Sequence, residues 1–424
     1  MNNNNYKDLA YNYVVNVFDG GFFGFALGFA SFSTIIPLFI STLTDSAILI
    51  GLIPAFHTVG WQLPQLFTAR SISRLPRYKP YVLLTTIHER IPFLGLALIA
   101  WFSPHINNNV ALVIAFMFLL WQGFGGGFAG NAWQNMIGKV FPASYLATFF
   151  GVQSAAANLL ASGSAILAGA MLERLDPPLN YALCFLLAGL FMVVSFGFIA
   201  LTREPARIVP AQNMVHIPLW HTIVTTIKSN RNFAAFLVAR ILSQFGLMAF
   251  AFYIVYAVRY HGMSEGTAGI MTSVLFFTQV ISNPLLGQLA DRWSRKHLME
   301  IGAVAITISA LLAWQASDVS WFYLVFILAG IANTTFWSIS MALTLDFGTE
   351  DERPTYVGMA NTLIAPGGIL APLLGGWLAD TAGFGYTFVT AAAAGLVTAF
   401  LLFFFVHEPQ RISKLKHDNV NDED

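Results

Sequence analysis

Gly287-Gln288-Leu289-Ala290-Asp291-Arg292-Trp293-Ser294-Arg295-Lys296 is a short charged segment between two long apolar runs. Gly287 lets a helix approach its neighbour closely, and Asp291 can set a negative charge at the positive N-terminal end of another helix. Arg292, Arg295 and Lys296 can pair with carboxylates or lie among anionic headgroups. A charged turn flanked this way belongs to a chain that passes repeatedly through lipid.

The composition agrees. Of 424 residues, 56% are hydrophobic and 10% charged, with a mean hydropathy of +0.65; soluble domains carry about 25% charged residues. The net charge is zero and no basic patch lies outside short loops, which argues against a nucleic-acid partner. Cys184 is the single cysteine, so there is no intrachain disulfide and no support for a cysteine metal site. No cofactor motif or metal-ligand cluster is visible, and no G-x-x-x-x-G-K-[ST] loop for ATP. The first apolar run reads as a retained membrane helix rather than a signal peptide.

Twelve runs approach the roughly 20 residues needed to cross a bilayer. They cover 13–40, 46–69, 80–102, 110–137, 145–171 and 181–201, then 233–256, 266–290, 298–316, 321–345, 355–380 and 386–406. The spacing predicts an all-α integral membrane protein with a six-helix half over 1–201, a linker over 202–232, a second half over 233–406 and a tail over 407–424. Seventeen of the 21 Lys and Arg fall in loops on the side of the termini, Arg174 and Arg259 fall on the other side, and Arg90 and Arg240 lie within spans. By the positive-inside rule both termini are cytoplasmic, in a plasma or bacterial inner membrane.

The halves repeat. Gln122-Gly123 corresponds to Ala329-Gly330, Gly151 to Gly358, Gly169 to Gly376, Pro64 to Pro284, and Arg203-Glu204-Pro205 to His407-Glu408-Pro409. Gly20, Gly24 and Gly28 form a stripe on the first span, and Gly123 and Gly127 do so on the fourth, as close helix packing requires. Pro366 and Pro372, among glycines, are expected to bend or weaken the eleventh span.

With these spans in place, G-x-x-x-D-R-x-x-R-K resembles the signature loop between the eighth and ninth helices of the major facilitator superfamily. Ser294 stands where that pattern usually has glycine. The resemblance covers nearly the whole chain. It implies two pseudo-symmetric six-helix halves, alternating access to a midplane site, and a cavity lined by the first, fourth, seventh and tenth helices. The loop over 69–79 lacks the signature aspartate. Leu119 stands where proton-linked drug exporters often have arginine, and 163–169 lacks their glycine-proline pair.

Charges within spans are few, and each is costly at mid-membrane. Asp19, Glu89 and Arg240 lie at similar depth, about 10–14 Å from the cytoplasmic ends at 1.5 Å per residue. The expected arrangement pairs Asp19 with Arg240 across the cavity, with Glu89-Arg90 as a structural ion pair; the rival arrangement joins Asp19 to Arg90. His57 and the amides Gln62, Gln122, Gln153 and Asn158 suggest an amphipathic cavity wall in the first half. Gln244, Gln279, Asn333 and Asn361 do so in the second, with Trp61, Trp121 and Trp337 as apolar walls. Singly, each is more often an interhelical hydrogen bond; as a set they point to a solute site.

The functional expectation is a secondary transporter of a small organic solute, a monomer in the lipid bilayer with protons as candidate coupling ion. A proton-linked multidrug or metabolite exporter is the nearest alternative. A membrane enzyme or a sensor lacks a nucleophile elbow or an appended soluble domain.

Overall fold

The structure, a computed structural model, describes residues 8–206, 219–348 and 353–408. Side chains at a few helical positions, Asp291 among them, also lie outside the description, as do residues 207–218 of the expected linker. All regular structure among the described residues is helical, in sixteen α-helices. They are α1 (Leu9–Phe29), α2 (Ile35–Leu43), α3 (Ala47–Ser73), α4 (Lys79–Phe102), α5 (Asn108–Val140), α6 (Ala143–Arg174), α7 (Leu179–Leu201) and α8 (Leu219–Ser229). The second set is α9 (Arg231–Leu247), α10 (Tyr253–His261), α11 (Glu265–Arg292), α12 (Arg295–Gln315), α13 (Trp321–Thr334), α14 (Ser340–Leu345), α15 (Arg353–Thr381) and α16 (Phe384–Phe405).

Among the described residues, eleven segments are long and apolar enough to cross a membrane. The first expected span is the exception. Asn12, Asn16, Asp19 and a run of glycines lower the hydropathy of α1, and the chain breaks at Ala30–Thr34 before α2 resumes. Irregular backbone in a membrane needs internal partners. Here the Ser31 hydroxyl accepts from the Ser33 backbone N–H, and the Thr272 hydroxyl reaches Thr34. Two other crossings change helix type midway: α9 joins α10 through a 3-10 turn at Met248–Ala251, and α13 joins α14 through a π-helical turn at Thr335–Ile339. Where Pro366 and Pro372 were expected to bend or weaken the eleventh span, α15 runs as one helix through both prolines.

α1, α3, α4, α5, α6 and α7 pack on one another, and α9, α11, α12, α13, α15 and α16 form a second bundle. The glycine stripes explain the closest contacts. Gly24 and Gly28 of α1 abut the backbone of α6, while Gly123 and Gly127 of α5 abut α3 at Gly60. The bundles meet where α3 crosses α15 and α6 crosses α11.

The repeated Glu-Pro motif has a structural role. Glu204 accepts from the backbone N–H groups of Tyr78 (2.9 Å) and Lys79 (2.7 Å) at the start of α4, and from Lys139 Nζ (2.8 Å). Glu408 does the same at the start of α12, accepting from the Arg295 N–H (3.0 Å) and the Ser294 hydroxyl. Each carboxylate caps a helix N-terminus, satisfying donors the helix cannot. Ser294 also accepts from the His297 N–H (3.1 Å), so the departure from glycine supplies a helix cap. Arg295 grips Asp346 through both carboxylate oxygens (2.5 and 2.6 Å), and Lys296 reaches the Phe403 carbonyl (3.0 Å). Glu204→Ala is expected to cost about 1–2 kcal/mol, read as a lower melting temperature in detergent. An unchanged melting temperature would remove the capping role.

Candidate functional site

The seam between the bundles differs at its two ends. At the end opposite the termini it is closed by backbone contact. A methyl group added at Gly269 of α11 would come within 2.5 Å of Gly169 Cα of α6, and one at Gly376 of α15 within 2.5 Å of the Ala47 carbonyl of α3. Polar bonds reinforce this end. Asp380 of α15 caps α3 from the other bundle, accepting from Ser46 Oγ (2.8 Å) and the Ala47 (2.6 Å) and Ile48 (3.1 Å) N–H groups. Arg259 donates to the carbonyls of Thr44 and Asp45 (both 3.0 Å) at the end of α2. Ser162 bonds Ser273 (2.6 Å), and the Tyr181 hydroxyl donates to Glu265 (2.7 Å). Towards the end bearing the termini, Gly151, Gly287 and Gly358 on the same seam helices α6, α11 and α15 face open space. The bundles part there into a cleft.

The roof of the cleft lies where Thr58 of α3 meets Gly368 of α15, with Gln244 of α9 packed against Gly367 and Gly368. His57 is adjacent, its Nδ1 3.4 Å from Gln122 Oε1, with the Phe32 ring tilted against it at 4.6 Å. Trp61 follows one turn on, its ring against Gly126 and Gly130. Gln62 Oε1 is buried without a partner. These groups come from both bundles and converge near the roof.

The membrane charges are arranged otherwise than expected. Asp19 accepts from Ser195 of α7 (2.6 Å) and lies 3.4 Å from Arg90, not beside Arg240. The reason is helical phase. Gly20, Gly24 and Gly28 face α6, so Asp19, a residue away in phase, turns towards α4 and α7. Arg90 also lies 3.5 Å from Glu89, donates to the Met192 carbonyl (3.2 Å) and the Thr86 hydroxyl, and lies over the Phe23 ring. The three charged side chains are 6–10% exposed, so this cluster is inside the first bundle and not on an open wall. Arg240 donates to Thr344 Oγ1 (3.4 Å) and lies over the Phe236 ring at 5.8 Å; no carboxylate among the described residues reaches it.

The other amides and tryptophans divide. Gln153 donates to the Asn16 carbonyl (2.8 Å) and fills the space beside Gly20. Trp121 points away from His57 and donates to His88 (3.2 Å) beside Phe118. Asn158 and Gln279 are half-buried, while Asn333, Asn361 and Trp337 are exposed, Trp337 within the π-helical turn. Among the described residues no group of three or more His, Cys, Asp or Glu could hold a metal. Thr58, Ser195, Thr344 and Asp380 were not anticipated. Small hydroxyls carry no hydropathy signal, and Asp380 ends a span without showing what it caps.

Residues 236–420 match the sequence model described as Major Facilitator Superfamily. The chain is 31% identical over 148 residues to Multidrug resistance protein 1 of Bacillus subtilis, covering 35% of this chain and 38% of that protein. It is 28% identical over 159 residues to the class E tetracycline resistance protein of Escherichia coli, covering 36% and 38%. The chain thus matches less than half the length of these curated relatives. Among solved structures, a D-xylose-proton symporter superposes with a TM-score of 0.72 at 17% identity, over 94% of this chain and 98% of that one. The xylose transporter XylE from E. coli gives 0.70 at 14% identity, over 93% and 96%. The family model thus matches the second bundle, and the helix arrangement over nearly the whole chain is similar to that of these solved transporters.

Proposed function

We propose that the protein is a secondary transporter that moves a small organic solute across the bilayer by alternating access. The observation that carries this reading is the seam: glycines on α6, α11 and α15 are locked in backbone contact at one end and face empty space at the other. Rocking the bundles about the roof would exchange the two ends, exposing the roof groups to each side in turn. The excess of basic loops on the terminus side puts that side in the cytoplasm, so this conformation opens inward. Each half, 1–201 and 233–406, moves as a unit.

Protons are the proposed coupling ion. Asp19 and Glu89 share one guanidinium inside the first bundle, and the trio is neutral when one carboxylate carries a proton. A neutral trio suits the membrane interior.

The test is solute flux into liposomes holding the purified protein, with and without a pH gradient. Cysteine labelling is run in parallel after replacing Cys184, which is buried. Asn107→Cys should label from outside and Ser229→Cys from inside. Flux across a broad solute panel should exceed that of empty liposomes and respond to the gradient. No flux, or labelling of both positions from one side, would overturn the reading.

A further inference from the structure

We propose that the transported solute is an organic anion, a soluble carboxylate or phosphate ester, and that its charged group docks on Arg240. This rests on the transport reading and names the solute class of that site.

Two arginines lie inside the spans, and the structure treats them differently. Arg90 is surrounded: Asp19 and Glu89 lie within 3.5 Å, and the Met192 carbonyl and the Thr86 and Ser195 hydroxyls fill its remaining directions. Among the described residues the Arg240 guanidinium has one hydrogen bond, a long one of 3.4 Å to Thr344 Oγ1, and the Phe236 ring. A guanidinium offers five N–H donors, so most of this one's capacity is unused. A cation kept in a membrane span at that cost, without an acidic partner among the described residues, marks a position whose counter-charge arrives from outside.

The position fits. Gln244, one turn along α9, packs against Gly367 and Gly368, and Gly368 touches Thr58 of the first bundle. That edge of α9 therefore faces the seam at the roof, and Arg240 lies one turn nearer the open end on the same edge. Ser340 Oγ, one turn from Thr344, is buried with no hydrogen-bond partner and can bond a bound oxyanion. Phe236 supplies an apolar wall. The guanidinium fork matches carboxylate and phosphate oxygens in pairs, which a lysine ammonium does not.

The experiment measures binding to the full chain in nanodiscs of neutral phosphatidylcholine. The probes are benzoate and phenyl phosphate, with neutral benzamide and cationic tetraphenylphosphonium as controls. At least one anion should bind, benzamide and the cation at least about tenfold more weakly. Arg240→Gln should remove anion binding, and Arg240→Lys should retain part of it. Neither variant breaks an ion pair, so both should fold, as the melting temperature will report. Equal binding of benzamide, or anion binding unchanged in Arg240→Gln, overturns the proposal. So does failure of both anions to bind. A further arm adds phosphatidylglycerol: if this lipid protects the site and the soluble anions cannot displace it, the anion is a headgroup and the proposal falls. Flux separates this idea from the transport reading. Anions that bind through Arg240 yet never cross would leave the site standing and sink transport; a cation that crosses while anions do not would do the reverse.

Discussion

Arg90→Gln is expected to destabilise the first bundle by about 3–5 kcal/mol, the cost of removing one partner from a buried ionic cluster. The substitution leaves Asp19 and Glu89 facing each other's charge without a cation, and it deprives the Met192 carbonyl and the Ser195 hydroxyl of a donor. The measurement is the melting temperature in detergent, with the yield of monodisperse protein. The double variant Arg90→Gln with Asp19→Asn should recover part of the loss, because the second change removes one of the stranded charges. Strictly additive losses would mean that the 3.4 Å approach of Asp19 to Arg90 carries no coupling. The cluster would then be a chance of packing.

A second large effect is expected at the far end of the seam. In Gly269→Val the new side chain would collide with Gly169 Cα of α6, so the far end cannot close as it does here. The variant should insert and fold, since each bundle keeps its own packing, but solute flux should fall at least about tenfold, the scale of a misfit of a few kcal/mol at a packed contact. A cysteine placed beside the seam at the far end should become accessible to a polar reagent. Gly287→Ala is the control: that position faces open space, and its melting temperature should stay within about 0.5 kcal/mol of the parent in equivalent stability. Normal flux in Gly269→Val would show that this contact is not remade in each cycle.

Much of the architecture is legible in the residues, because a bilayer imposes one strong rule on length and hydropathy. Eleven crossings follow from that rule alone. The first is weaker because α1 carries polar residues and glycine for packing, and its break at Ala30–Thr34 uses hydroxyls that hydropathy does not weigh. The Glu-Pro repeat is visible as a pattern, while its role as a cap needs the three-dimensional meeting of residues far apart in the chain. The membrane charges show the limit most clearly. Depth along a helix can be counted, and it places Asp19, Glu89 and Arg240 at one level. Which way each points around its helix is set by the glycine stripe that chooses the packed face, and that choice sends Asp19 to Arg90. The same holds for Trp121, one residue from Gln122 yet turned towards His88.

The two carboxylate caps have a consequence for the order in which the protein is made. The first N–H groups of α4 gain their acceptor only once residue 204 has emerged, after three further membrane crossings. Those of α12 wait in the same way for residue 408. Each bundle is therefore left with unsatisfied donors at a helix start until its last crossing is threaded. Completion of α7 and of α16 are then the two points during biogenesis at which these helix starts gain their carboxylate caps.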